Sequence, residues 1–131
     1  MDVFKTYATD EKAEVEGRWV EIGEGAKLLI ARADNENYRK EFMKMWEANK
    51  PALDAGGDAA DKLAQEMFIE VEAKTILKGW EGIQFKGKSL DYSMDNAKKV
   101  LSLRDFRALV ARLAQDAEAY RAKLEEEQGN D

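Results

Sequence analysis

Residues Gly82-Ile83-Gln84-Phe85-Lys86-Gly87-Lys88-Ser89 satisfy G-x-x-x-x-G-K-S, the spacing of a phosphate-binding loop. In that chemistry backbone N–H groups curl round phosphates, the lysine meets their oxygens and the serine hydroxyl meets Mg²⁺. The loop must follow a buried strand and run directly into a helix. A second apolar strand ending in Asp must hold the metal. Here the residues ahead of the loop, Lys74 to Trp80, read as helical, and Asp91, Tyr92 and Ser93 separate it from the next helix. The preferred reading is a glycine-punctuated connector with a turn at Gly87-Lys88, and no nucleotide or other cofactor is expected.

The 27 carboxylates are the other candidates for chemistry, as metal ligands or acid–base pairs. Glu14/Glu16, Glu70/Glu72 and Asp58/Asp61 are the closest pairs, but Glu70 and Glu72, two apart on a helix, do not share a face. No calcium-loop spacing occurs. The chain has no histidine and no cysteine. It therefore lacks the commonest neutral-pH general base, thiolate metal sites and disulfides. No catalytic residue and no metal site is predicted, and the carboxylates read as solvated helix surface.

The elements behind these residues form one domain of 131 residues. Hydrophobic residues make up 44%, enough for a modest core, while 37% are charged against an ordinary ~25%. The net charge of -6 argues against binding a phosphate backbone, which needs clustered Lys and Arg. Met1-Asp2-Val3-Phe4-Lys5 shows no apolar signal region and no stretch reaches the ~20 apolar residues of a membrane span, so the cytoplasm is the expected location.

Residues 1–12 read as a polar, loosely held lead-in. Val15 to Ile22 and Ala26 to Ala31, joined by Gly23-Glu24-Gly25, predict an antiparallel hairpin, which must lean on helices to be stable. Asp34 or Asn35 caps a helix with Tyr38, Phe42, Met45 and Trp46 on one face, broken by Pro51 and Gly56-Gly57. A helix from Asp58 or Asp61 carries Leu63, Met67, Val71 and Thr75, and ends at Gly79 and Gly82. After the connector, Ser93 caps a short helix with Met94, Ala97, Val100 and Leu101 inward. Ser102 with Asp105 gives a second capping signal for a helix bearing Phe106, Leu109, Val110, Leu113, Ala117, Tyr120 and Leu124. Glu125 to Asp131 reads as a flexible tail. The fold class is α+β, mostly helical: an N-terminal antiparallel β-hairpin packed against about four α-helices in two layers.

Trp19, Trp46 and Trp80 are assigned to the core in preference to an interface, because buried aromatics dominate small cores. The candidate partner-binding residues are Trp80, Phe85, Tyr92 and Tyr120, from the connector and the outer face of the last helix.

Several motifs in order resemble a known group. They are Trp19-Val20, Gly25 to Ile30, Ala33 to Tyr38, Gly79-Trp80-Glu81-Gly82-Ile83, Lys86 to Leu90, Tyr92 to Ala97, Val100-Leu101, Asp105-Phe106-Arg107 and Tyr120. Together they resemble the tail assembly chaperones of long-tailed bacteriophages and prophages over most of residues 15–124. The resemblance implies a non-enzymatic assembly factor of the bacterial host cytoplasm, absent from the mature virion. It implies binding to the tape measure protein until tail tube subunits polymerise, self-association, and a longer form made by ribosomal frameshifting. It implies no nucleic-acid or membrane partner. The alternative expectation is a minor structural tail or connector protein that stays in the virion.

Overall fold

The computed structural model describes residues 1–123. The chain is α+β, with the N-terminal hairpin packed on helices as its residue pattern requires. Two short helices lead in, α1 (Val3–Tyr7) and α2 (Glu11–Glu16), each opened by an aspartate. Asp2 accepts from the Lys5 N–H and Asp10 from the Ala13 N–H, so the polar lead-in carries two capped turns. Val15, assigned to the first strand, is the last apolar residue of α2. Gly17, at φ 98°, turns the chain out of that helix, and β1 (Arg18–Gly23) starts one residue later.

β1 pairs antiparallel with β2 (Ala26–Ile30) around the expected glycine turn. A third strand, β3 (Leu77–Glu81), lies on the other side of β2, giving the order β1-β2-β3. This corrects the reading of Lys74 to Trp80 as helix. The preceding helix stops at Thr75, and the Ala31 N–H bonds the Ile76 carbonyl at 2.8 Å. Leu77 and Trp80 then pair with Ile30 and Leu28, whose backbone groups on that edge would otherwise lack partners. The need to close the sheet outweighs the local helical preference of Lys74 to Leu77.

Val20, Leu28 and Trp80 form one cross-strand row on the inner sheet face, buried or half-buried against the helices. The adjacent row, Trp19, Leu29 and Gly79, faces outward. Gly79 leaves the space over which the Trp19 ring extends.

α3 (Glu36–Asp54) is capped by Asn35, whose carboxamide oxygen accepts the Tyr38 N–H. Its amide donates to the carbonyls of Arg32 and Thr75, tying α3 to the end of the next helix. Pro51 does not end α3 but sits inside its last turns. The N–H it lacks would have met an exposed carbonyl that water serves equally well, and Gly56-Gly57, both at positive φ, make the break. α4 (Gly57–Thr75) buries Met67, Val71 and Thr75 as its spacing predicts.

A two-residue-arm hairpin follows, β4 (Gln84–Phe85) and β5 (Lys88–Ser89). α5 (Met94–Leu101) is capped by Ser93 on the Asn96 N–H and buries Ala97 and Leu101. α6 (Arg104–Ala114) does not use Ser102 as its cap. Leu103 holds that position without a side-chain bond, and the Ser102 hydroxyl donates to the Lys99 carbonyl instead.

The last helix is also shorter than its apolar ladder suggests. It ends at Ala114, and Ala117–Tyr120 forms a single 3₁₀ turn. That departure carries Tyr120 into the core, where its hydroxyl donates to the Ile30 carbonyl at 2.8 Å. The chain then runs beside the N-terminus, with the Asp10 N–H on the Tyr120 carbonyl and the Ala122 N–H on the Ala8 carbonyl. Leu124 and the tail from Glu125 lie outside the described residues.

Candidate functional site

The octapeptide 82–89 takes a form that suits no phosphate. A strand does precede it, but that strand is antiparallel to its neighbour, and the loop itself folds as the β4–β5 hairpin. Lys86 and Gly87, at φ 53° and 79°, are the two central turn residues, the backbone form a two-residue hairpin favours. Gly82 is packed on the Gly25 carbonyl of the first hairpin turn. The glycines thus serve two β-turns, and Lys88 and Ser89 are exposed strand residues.

Three of these carboxylates are drawn into separate ion pairs. Glu14 meets Arg32 at 2.6 Å, Glu16 meets Lys12 at 4.0 Å and Glu70 meets Lys74 at 3.0 Å. Among the described residues no three acidic side chains cluster as a metal ion would require. No helix among them is long and apolar enough to cross a membrane.

The four sequence-chosen aromatics separate into three structural residues and one exposed one. Trp80 and Tyr92 meet edge to face with ring centres 5.0 Å apart. The Trp80 indole N–H donates to the Leu90 carbonyl, and the Tyr92 hydroxyl donates to the Leu77 carbonyl at 2.8 Å. Burial raises the Tyr92 phenol above its ordinary value of 10.0, so it is a neutral donor at any physiological pH. Tyr120 is fully buried, with the guanidinium groups of Arg18 and Arg32 5.0 and 6.0 Å from its ring centre. These three side chains hold the sheet to the segments that cross it. Phe85 alone points to solvent, 59% exposed at the hairpin tip.

A larger exposed surface lies elsewhere. None of α3's 19 residues is buried. Tyr38, Phe42 and Trp46, spaced by four, stack down its side with ring centres 6.1 and 5.9 Å apart. Phe42 also packs on Phe68 of α4 at 5.6 Å. Trp46 and Phe68 remain 38% and 45% exposed. This corrects the assignment of all three tryptophans to the core: Trp80 is buried, while Trp19, 47% exposed, and Trp46 are not. The four-residue spacing signals an apolar face, but only tertiary structure shows that Tyr38 and Phe42 are half-buried while Trp46 and Phe68 stay exposed among the described residues.

Beyond Phe68 a groove runs between α4 and α6. Its first stretch is lined by Ala64, Phe68, Arg104, Arg107 and Ala108. Its second is lined by Tyr38, Ile76, Ala111 and Ala114, with Asp34 at the end. Glu72 and Ala111 belong to both stretches. Glu72 Oε1 is shut off from water, with no donor in reach among the described residues. Its carboxyl is held above the ordinary 4.5, chiefly by burial, against the opposing pull of Arg107.

This strain has a testable sign. A carboxyl whose folded pKa is raised contributes most below 4.5 and loses stability as pH rises through the folded value. Glu72→Gln is therefore expected to melt above wild type at pH 7. The gap should close as pH falls towards 4, because the wild-type carboxyl is then neutral too. Melting curves at both pH values check this, and a variant less stable at pH 7 contradicts it.

The model of the family described as YdaY prophage protein matches residues 33–130. The chain belongs to this family. It is therefore a phage or prophage protein. No curated protein matches the YdaY-family chain, and no solved structure matches it. All three helices around the groove lie within the matched residues, whereas the β1–β2 hairpin lies before them.

Proposed function

We propose that this YdaY-family chain is a non-enzymatic tail assembly chaperone that binds the tape measure protein in the bacterial host cytoplasm. The observation that carries the reading is the partly exposed aromatic face of α3 and α4, where Trp46 and Phe68 meet solvent, continuous through Phe68 with the groove beside α6. An apolar surface of this extent on a charged, acidic protein fits a partner-binding role. A long, helical tape measure protein exposes apolar stripes before the tube forms, and helices laid in grooves are a standard way to cover such stripes. The net charge of -6 keeps the complex soluble. Tube subunits must later displace the chaperone, which calls for many modest contacts instead of one deep pocket. Prophage family membership supports the setting, and the ordered motifs from Trp19 to Tyr120 support the tail role.

Co-expression with the tape-measure-like protein of the same prophage tests this. The expected result is a several-fold rise in soluble tape measure protein and a recovered complex. No rise and no complex would reject the reading. Mass spectrometry of purified virions should not detect the chain; stoichiometric amounts there would favour a structural tail or connector protein.

A further inference from the structure

The groove between α4 and α6 has the dimensions and chemistry of a seat for one helix. Ala64 to Ile76 covers about 18 Å at ~1.5 Å per residue, or roughly three helical turns. Ala108 and Ala111 on one wall leave room for a close backbone approach, and Phe68 supplies a flat apolar wall opposite. Ala64 and Arg104 line one stretch and Ile76 and Ala114 the other, so α4 and α6 run the same way along the groove. Charge changes along the groove, from Arg104 and Arg107 at its start, past Glu72 near its middle, to Asp34 at its end. A helix carries partial positive charge at its N-terminus and negative at its C-terminus. Complementarity therefore places an incoming helix antiparallel to α4 and α6, its C-terminal end at Arg104. Glu72 lines both stretches and so places a carboxylate near the middle of the seat, which sets a further requirement on the occupant.

Resting on the chaperone reading for the identity of the partner, we infer that the α4–α6 groove binds an amphipathic partner helix of about three turns, whose apolar stripe is interrupted near its centre by a lysine or arginine that meets Glu72. Exposed Ala108 lines the seat without supporting the fold, so Ala108→Glu fills it, while Glu72→Gln removes the charge that selects the cation.

The test uses the full chain and two sets of fluorescein-labelled peptides read by anisotropy. One set is a synthetic 15-residue helix with leucines at i, i+3 and i+7 and a central lysine, and its twin with glutamate there. The other tiles the tape measure sequence in 20-residue steps. The lysine peptide should bind wild type at least tenfold more tightly than its twin. Ala108→Glu should weaken it at least tenfold, and Glu72→Gln should abolish the preference. Equal binding of the two peptides by wild type, or unchanged binding by both variants, overturns the inference. If the lysine peptide behaves as expected and no tape measure peptide binds, the groove stands and the chaperone reading fails. If tape measure peptides bind wild type and Ala108→Glu alike, the chaperone reading stands and the groove assignment fails. A wild-type oligomer that Ala108→Glu converts to monomer in sedimentation would make a second copy the occupant and overturn the assignment.

Discussion

Tyr120→Ala should lower folding stability by about 3–5 kcal/mol, the range for truncating a large buried aromatic. Tyr120 is wholly buried, and its hydroxyl satisfies the Ile30 carbonyl in the central strand. Two guanidinium groups, Arg18 and Arg32, lie over its ring and would lose that aromatic surface. The backbone around it joins the C-terminal segment to α2 through the Asp10 N–H. Tyr120→Phe isolates the hydroxyl: it keeps the ring and strands the carbonyl, for about 1–2 kcal/mol. Urea denaturation of both variants checks the order. A Tyr120→Ala variant within about 1 kcal/mol of wild type would show that the residue is surface-like, as an interface residue would be.

Gly82→Ala is expected to destabilise the fold by about 2–5 kcal/mol, combining left-handed backbone strain with overpacking. A Cβ on Gly82 would lie 2.5 Å from the Gly25 carbonyl oxygen and 3.0 Å from the Ala26 Cα. Both contacts are backbone, so no rotamer change relieves them. The residue itself sits at φ 77°. Gly87 provides the control within the same octapeptide. It has a similar φ of 79° but open space where its Cβ would point, so Gly87→Ala should cost only about 1 kcal/mol. Thermal melts of the two variants separate a packing role from a ligand-cradling one. Equal effects would mean that the close approach to Gly25 does not matter.

Local chemistry made much of the architecture readable. The glycine turn between two β-rich runs, the Asn35 and Ser93 caps, and the inward spacing of Met67, Val71, Ala97 and Leu101 all act within a few residues. The misread elements are those where distant contacts decide. β3 exists because β2 had an open edge, not because Leu77 to Glu81 advertises a strand. α6 stops early because Tyr120 is drawn to a carbonyl 90 residues away in sequence. Trp46, on an apolar helix face, and Trp80, beside a glycine, both read as core, yet only Trp80 is buried.

The same division governs the candidate site. Residue types alone established an acidic chain without histidine or cysteine, a hairpin leaning on amphipathic helices, and an aromatic series at Tyr38, Phe42 and Trp46. Those properties depend on composition and on periodicities of two and 3.6, which each segment carries by itself. Which aromatic face is covered, how Glu72 comes to be desolvated without a donor, and that α4 and α6 stand apart as parallel walls depend on where separate segments meet. A groove is the space that packing leaves unfilled, and so only the tertiary structure could place it.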